Sequence, residues 1–279
     1  MAQKTEIQER IRQAVKAVKR DNPMAGSITN NVTIDFVANA QLAVGGSAAM
    51  VYLPDEAEAL VAGGNAVYAN VGTPVLGESI PALARAAHEA GKTLVLDPVA
   101  LGIGALRTQI VLQLKQYKPA VIRGNASEII AVANLWDLTG TADEASRVRG
   151  VDSTDTVDAA EDAAVAIACF TGGAVAVSGE TDMVTDGTVI AHSHGGSELM
   201  TCVTGSGCSL GGVMAVYATE TDPFTAALTG VQVYNLAGAR AARKADAPGS
   251  FKVAFIDELY RATPDDIADN PLEVQEVAR

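Results

Sequence analysis

From Val203 to Gly212 the chain reads Val-Thr-Gly-Ser-Gly-Cys-Ser-Leu-Gly-Gly, two glycines around a small hydroxyl residue and then a cysteine. The apolar run that follows predicts a helix over 206–219, so the glycines stand at its start. Backbone N–H groups at such a turn point outward and the helix dipole adds partial positive charge, which suits a phosphoryl group. A side chain at Cys208 then lies beside the anion, where phosphoryl transfer needs its acceptor hydroxyl. Turn geometry alone would also account for Gly205 and Gly207. A lone cysteine there is as readily a small hydrophobe as a reactive thiol.

The neighbouring elements must bring partners to that turn. Short apolar runs bounded by Gly, Pro or polar residues predict buried strands at Ala66–Val71, Thr93–Leu96, Ala120–Ile122 and Ala174–Val177. Helices are predicted over Glu78–Ala90, with Gly91 as its stop, and over 155–170. This alternation implies right-handed crossovers and an α/β fold: a three-layer α/β/α sandwich with a mostly parallel central sheet, in one domain. Residues 5–19 predict an amphipathic helix with Ile7, Ile11, Val15 and Val18 on one face and a Thr5/Gln8 capping box. A second helix is predicted over 28–44, followed by small residues leading to Met50. Asp186-Gly187 marks a hairpin, residues 140–153 read as a surface loop, and helices are expected over 222–243 and about 249–262.

In a doubly wound sheet, ligands bind beyond the carboxyl ends of the strands. There the chain offers Gly72-Thr73, then Asp97-Pro98-Val99, then Arg123-Gly124-Asn125-Ala126-Ser127-Glu128, and then Ser178-Gly179-Glu180. Two carboxylates, an arginine, small hydroxyls and an anion cradle are what phosphoryl transfer from a nucleotide requires. Taken singly, Asp97 could only cap a turn and Glu128 only stabilise a first helical turn. Walker A and Rossmann fingerprints are absent.

The bulk numbers bound the partners. The 279 residues are 48% hydrophobic but only 4% aromatic, so the core is built from Val, Ala, Leu and Ile. A net charge of −13 argues against nucleic acid or an anionic membrane surface. Cys169, Cys202 and Cys208 form no CxxC pair and fit a reducing cytosol, with Cys169 and Cys202 read as small hydrophobes. The N-terminus has no signal-peptide core and no run of eighteen apolar residues occurs, so a cytoplasmic protein is expected.

Asn125-Ala126-Ser127-Glu128 and the 205–208 turn resemble the N-x-x-E motif and G-x-G-[D/C] anion hole of the ribokinase-like superfamily. Five segments narrow the resemblance to the hydroxyethylthiazole kinase family. In chain order they are Ser27–Val32, Leu96–Val99, Ile122–Asn125, Arg149–Ser153 and Val203–Cys208, within a likeness running from about residue 10 to 260. That resemblance implies transfer of the ATP γ-phosphoryl group to the hydroxyl of 4-methyl-5-(2-hydroxyethyl)thiazole, in thiamine salvage, by a homotrimer with sites at subunit interfaces. It places Asn30, Val32, Met50 and Gly205 at thiazole-contacting positions and Cys208, with Gly205, Ser206 and Gly207, at the reacting hydroxyl. Arg123 and Ser178 fall where the family holds ATP, and Asp97 and Glu128 where it arranges Mg²⁺, in part through water. Position 178 is Ser where the family usually has Thr, which keeps the hydroxyl. Two other readings compete: an ADP-dependent hydro-lyase of the same superfamily acting on hydrated nicotinamide nucleotides, and a catalytically silent ligand-binding relative.

Overall fold

The computed structural model describes residues 2–73, 77–138 and 157–277. The loop expected over 140–153, and with it the Arg149–Ser153 motif, lies outside them. Among the described residues, one sheet of nine strands carries the fold, in the spatial order β2 (Ser47–Met50), β1 (Met24–Ile28), β3 (Ala66–Asn70), β4 (Thr93–Asp97), β5 (Val121–Asn125), β6 (Ala174–Ser178), β7 (Asp182–Thr185), β8 (Val189–Ser193) and β9 (Leu272–Glu276). The four predicted buried strands are β3 (Ala66–Asn70), β4 (Thr93–Asp97), β5 (Val121–Asn125) and β6 (Ala174–Ser178). Neighbours from β2 to β6 are parallel. The Asp186-Gly187 turn joins β7 (Asp182–Thr185) to β8 (Val189–Ser193), and these pair antiparallel with β6 and with the C-terminal β9 (Leu272–Glu276).

Alternation along each strand sends successive side chains to opposite layers. Val67, Ala69, Leu94, Leu96 and Ile122 join the core beneath α3 (Pro54–Gly63), α4 (Ser79–Glu89), α5 (Ala105–Leu114), α6 (Ala126–Leu135) and α7 (Glu161–Thr171). Ala66, Tyr68, Val95, Val121 and Ala176 face the other layer, which contains α1 (Ala2–Asp21), α2 (Ile34–Ala43), α8 (Ser206–Tyr217) and α9 (Pro223–Ala242). The same layer holds α10 (Pro248–Arg261) and α11 (Pro264–Ala268). The expected three-layer sandwich is therefore the architecture found. Among the described residues, no helix is long and apolar enough to cross a membrane.

Three expectations about the N-terminal part need correcting. Residues 28–44 are not one helix: Met24–Ile28 is β1, a turn follows, and α2 starts at Ile34. β1 carries Gly and Ser because it is buried on both faces against close neighbours. A Cβ at Gly26 would overlap the Leu60 side chain at 2.1 Å. The small residues leading to Met50, given no element from the sequence, form the edge strand β2 (Ser47–Met50). α1 begins at Ala2, so Thr5 lies inside it, and Gln8 Nε2 donates to the Ala268 carbonyl across to α11. Two smaller differences concern α7, which begins at Glu161 behind a 3₁₀ turn, and Cys169 and Cys202, which are exposed rather than packed.

α8 is the element that decides the site. Every residue from Cys208 to Tyr217 is buried, as a helix apolar all round must be. It packs on β3 and β4 with α2 and α9 beside it, and Gly211 lets it approach the sheet. A Cβ there would meet the Tyr68 ring at 2.5 Å and its hydroxyl at 2.9 Å, and both are fully enclosed. We therefore expect Gly211→Ala to lose about 1–3 kcal/mol by overpacking, read as a lower midpoint in equilibrium urea denaturation. An unchanged midpoint would mean that the layer spacing is softer than the geometry implies.

Candidate functional site

The sheet face that meets α8 changes character at its carboxyl edge. Inward-facing positions are apolar along the strands and then become Tyr68 and Asn70 on β3, Asp97 on β4, Arg123 on β5 and Ser178 on β6. Register aligns Asn70 with Asp97 across β3 and β4, and Asn125 with Ser178 across β5 and β6. The strand ends thus deliver one row of polar groups to the N-terminus of α8.

That N-terminus is shaped by glycine. Gly205, the N-cap, has φ +93°, and a Cβ there would sit 2.8 Å from Thr33 Cγ2. A Cβ at Gly207 would fall 2.5 Å from Arg123 Nη2, so glycine is what lets the guanidinium lie against the first turn. No side chain caps the helix, which leaves its first amides without intrahelical acceptors. The Ser206 hydroxyl lies near the Met200 and Val203 carbonyls, at 3.0 and 2.9 Å, and is committed to holding the preceding 3₁₀ segment.

Arg123 and Asp97 form a buried ion pair, Nη1 to Oδ2, at 3.3 Å, and Arg123 Nη2 also donates to Ser178 Oγ at 3.1 Å. Burial opposes the Arg123 charge, but Asp97 and Glu128 outweigh it and raise its pKa above the usual value. Asp97 Oδ2 also accepts from Asn70 Nδ2 at 3.0 Å and lies 3.0 Å from the Tyr68 hydroxyl. Asn70 Oδ1 accepts from Asn30 Nδ2 at 3.0 Å, and Asn30 Nδ2 donates to Cys208 Sγ at 3.4 Å. A chain of side-chain amides thus links the thiol to the carboxylate. Cys208 is 8% exposed, and its thiol is pushed up to about 11, first by burial and then by Asp97. The lowering expected of a helix N-terminus is outweighed here.

Asn125 and Glu128 form a reciprocal capping box on α6: Asn125 Oδ1 accepts from Glu128 N, and Glu128 Oε2 from Asn125 N, both at 2.9 Å. Glu128 Oε1 accepts from the N–H of Ala100, a residue held at φ +58°. The buried Arg107 fixes that loop through the Ala100 and Ile103 carbonyls and ties it to Val71 and Gly72. Burial, then Asp97, raises the Glu128 carboxyl above its ordinary pKa. Both Glu128 oxygens are therefore engaged, whereas Asp97 Oδ1 is buried with no hydrogen-bond partner among the described residues. A cation with its water shell would suit that orphaned oxygen directly and Glu128 through water. No group of three or more His, Cys, Asp or Glu gathers as a metal site among the described residues.

A cavity of about 700 Å³ opens beside this cluster, lined by Arg123, Ser178, Asp182, Ser206, Gly207 and Asn235 among others. Its size falls in the range of cofactor and drug-sized ligand sites. The structure gathers Asn30, Asp97, Arg123, Ser178, Gly205, Gly207 and Cys208 at one place, with Ser206 behind them and Glu128 beside them. It does not bring Val32 in: that side chain is 75% exposed. Met50, half-buried at the end of β2, packs against the core on the α8 side of the sheet. Tyr68, Asn70 and Asp182 belong to the site and were missed. For the first two the signal was the two-residue spacing of polar groups at the end of β3.

A model of the hydroxyethylthiazole kinase family matches residues 15–265. A hydroxyethylthiazole kinase from Bifidobacterium animalis subsp. lactis is 45% identical over 277 residues, covering 95% of this chain and 91% of its own. The one from Cereibacter sphaeroides is 43% identical over 247 residues, covering 88% and 91%. Among solved structures, the hydroxyethylthiazole kinase protein from Pyrococcus horikoshii superposes with a TM-score of 0.83 at 30% identity, over 96% of this chain and 99% of its own. The pyridoxal kinase of Staphylococcus aureus (TM-score 0.61, 15% identity, 91% and 99% covered) shares the fold. With a family model spanning most of its length and relatives this similar, the chain belongs to the hydroxyethylthiazole kinase family.

Proposed function

We propose that this protein transfers the γ-phosphoryl group of ATP to the hydroxyl of 4-methyl-5-(2-hydroxyethyl)thiazole, a salvage step toward thiamine. The observation that carries this is the first turn of α8, where amides with no side-chain cap, Cys208 and the Arg123–Asp97 pair lie together beside the 700 Å³ cavity that Arg123, Ser206 and Gly207 line. The named relatives are kinases, and no observation favours the hydro-lyase or a silent binder. In this reading the chain acts as one kinase domain in the cytoplasm.

The cavity takes the nucleotide, with the Arg123 guanidinium and Ser178 hydroxyl on its phosphates. Gly205, Gly207 and the first amides of α8 hold the oxygens of the group in flight. Asp97, through its unpartnered Oδ1, and Glu128, through water, would hold Mg²⁺, which would supply neutralisation of phosphate charge. Asn30 orients Cys208 and, with Met50, faces the thiazole. Half-burial of Met50 and exposure of Val32 support a pocket completed by a neighbouring subunit in the family's trimer.

A thiol at about 11 is about one part in ten thousand ionised at pH 7. Cys208 therefore meets the alcohol as a neutral group that positions it. A loose, dissociative transition state asks little of a base.

Three measurements test this. ADP formation from ATP and Mg²⁺ should depend on the thiazole alcohol, with the phosphate monoester detected by ³¹P NMR; turnover only with some other alcohol would overturn the substrate. Cys208→Ala should keep measurable turnover, reduced by about 10–100-fold, and Cys208→Asp should remain active; complete loss in both would contradict a positioning thiol. Arg123→Gln should raise the KM for ATP and lower kcat/KM by about 100-fold or more, since it also leaves Asp97 unpaired. A KM for ATP equal to wild type would remove Arg123 from the nucleotide site.

A further inference from the structure

Asp182 opens β7 and lines the same cavity as Arg123, Ser178 and Gly207. The catalytic reading leaves it unused. The residue is 9% exposed, and Oδ1 accepts from the Gly179 N–H at 2.9 Å, closing the 178–182 turn that carries the Ser178 hydroxyl. The Asn235 amide is another polar neighbour, and among the described residues Arg123 is the cation whose field reaches it. Like Val184, two residues on, it faces the α9 layer, whereas Met183 faces the other core.

The titratable groups around this carboxyl come from several elements. Arg123 comes from β5, Tyr234 from α9, and Glu180 from its own turn, while Glu198 belongs to the 3₁₀ segment that lines the cavity. His194, just past β8, lies 3.5 Å from the Thr181 hydroxyl. Glu180 and Glu198 are exposed, and the buried residues of α7, which also packs on β7, are Ala and Ile. Among the described residues, no second cation lines this cavity to neutralise Asp182. Burial alone pushes its carboxyl up to about 6, against the pull of Gly179, Asn235 and Arg123. A polyphosphate placed on Arg123 takes up the charge that helps hold Asp182 ionised and adds like charge across the cavity.

We propose that Asp182 is a nucleotide-site residue that works in its neutral form: nucleotide entry draws a proton from solvent onto the carboxyl oxygen not held by Gly179, and the new O–H donates to the ligand. This rests on the cavity being the nucleotide site. The linkage has a fixed sign. A group protonated more fully in the bound than in the free protein makes affinity rise as pH falls through the interval between its two pKa values.

Calorimetric titration of the full-length protein with ADP, in two buffers of different ionisation enthalpy at pH 6.5, counts the protons. Wild type should take up about half a proton more per ADP than Asp182→Asn. Phosphate ionisation of the nucleotide is common to both proteins and cancels in that difference. In Asp182→Asn the amide keeps the acceptor for Gly179 and supplies a permanent donor, so its ADP affinity should change less between pH 6 and 8 than that of wild type. Asp182→Ala, lacking both, should bind ADP about tenfold more weakly at pH 6.5. If Ala substitution fails to fold by circular dichroism, the Asn comparison decides alone. Equal proton counts in wild type and Asp182→Asn would overturn the inference while leaving the kinase reading intact. No ADP binding by wild type would overturn the nucleotide site itself.

Discussion

The buried ion pair between Arg123 and Asp97 is the constraint around which the rest of the site is arranged. Taking both charges out of water is costly, and their attraction repays that only if the remaining valences are filled. Asp97 Oδ2 is surrounded by Arg123 Nη1, Asn70 Nδ2 and the Tyr68 hydroxyl. Each comes from the end of a parallel strand on the face toward α8. A sheet with a different register would leave at least one of these charges unmatched.

The second constraint is distance. Arg123 can lie against the α8 N-terminus only because residue 207 has no side chain, and α8 can lie against Tyr68 only because residue 211 has none. Glycines in α8 cost helix propensity, and burial of that helix from Cys208 to Tyr217 offsets the loss. On the proposed reading, the anion cradle is a by-product of close helix–sheet packing as much as of the turn at Gly205. This joins fold to chemistry: the contact that holds two layers together also aims the first amides of α8 at the strand ends.

Legibility in the sequence followed burial pattern. β3 to β6 read directly because strands covered on both faces are short, apolar and flanked by turn residues. β1 and β2 did not, because Gly26, Ser27 and the alanines of β2 trade hydrophobicity for close approach. The N-x-x-E motif was visible, but its local meaning, a capping box on α6, needed coordinates. Asn70 was hidden for another reason. It lay inside a predicted strand, where only its two-residue spacing from Tyr68 marked it, and its four hydrogen-bond contacts come from residues up to 40 positions away. Asp182, four residues before the Asp186-Gly187 turn, carried no signal of its own until the fold enclosed it.

Charge accounting in the cluster separates what the protein supplies from what a ligand must bring. Arg123 is one cation facing two carboxylates, Asp97 and Glu128, with Cys208 neutral beside them. The raised pKa of Glu128 expresses that imbalance, since burial and Asp97 together exceed the relief from Arg123. A site prepared only for a polyanion would be expected to hold surplus positive charge. This one holds surplus negative charge and an orphaned carboxylate oxygen at Asp97 Oδ1, which on the proposed reading suits a divalent cation beside the nucleotide. The fixed amides of α8 carry no net charge, and they can stabilise the transferred group without binding free anions tightly. On that view the neutral thiol fits as well: cysteine adds no charge beside Asp97, so the balance stays the one that Arg123 and its two carboxylates set.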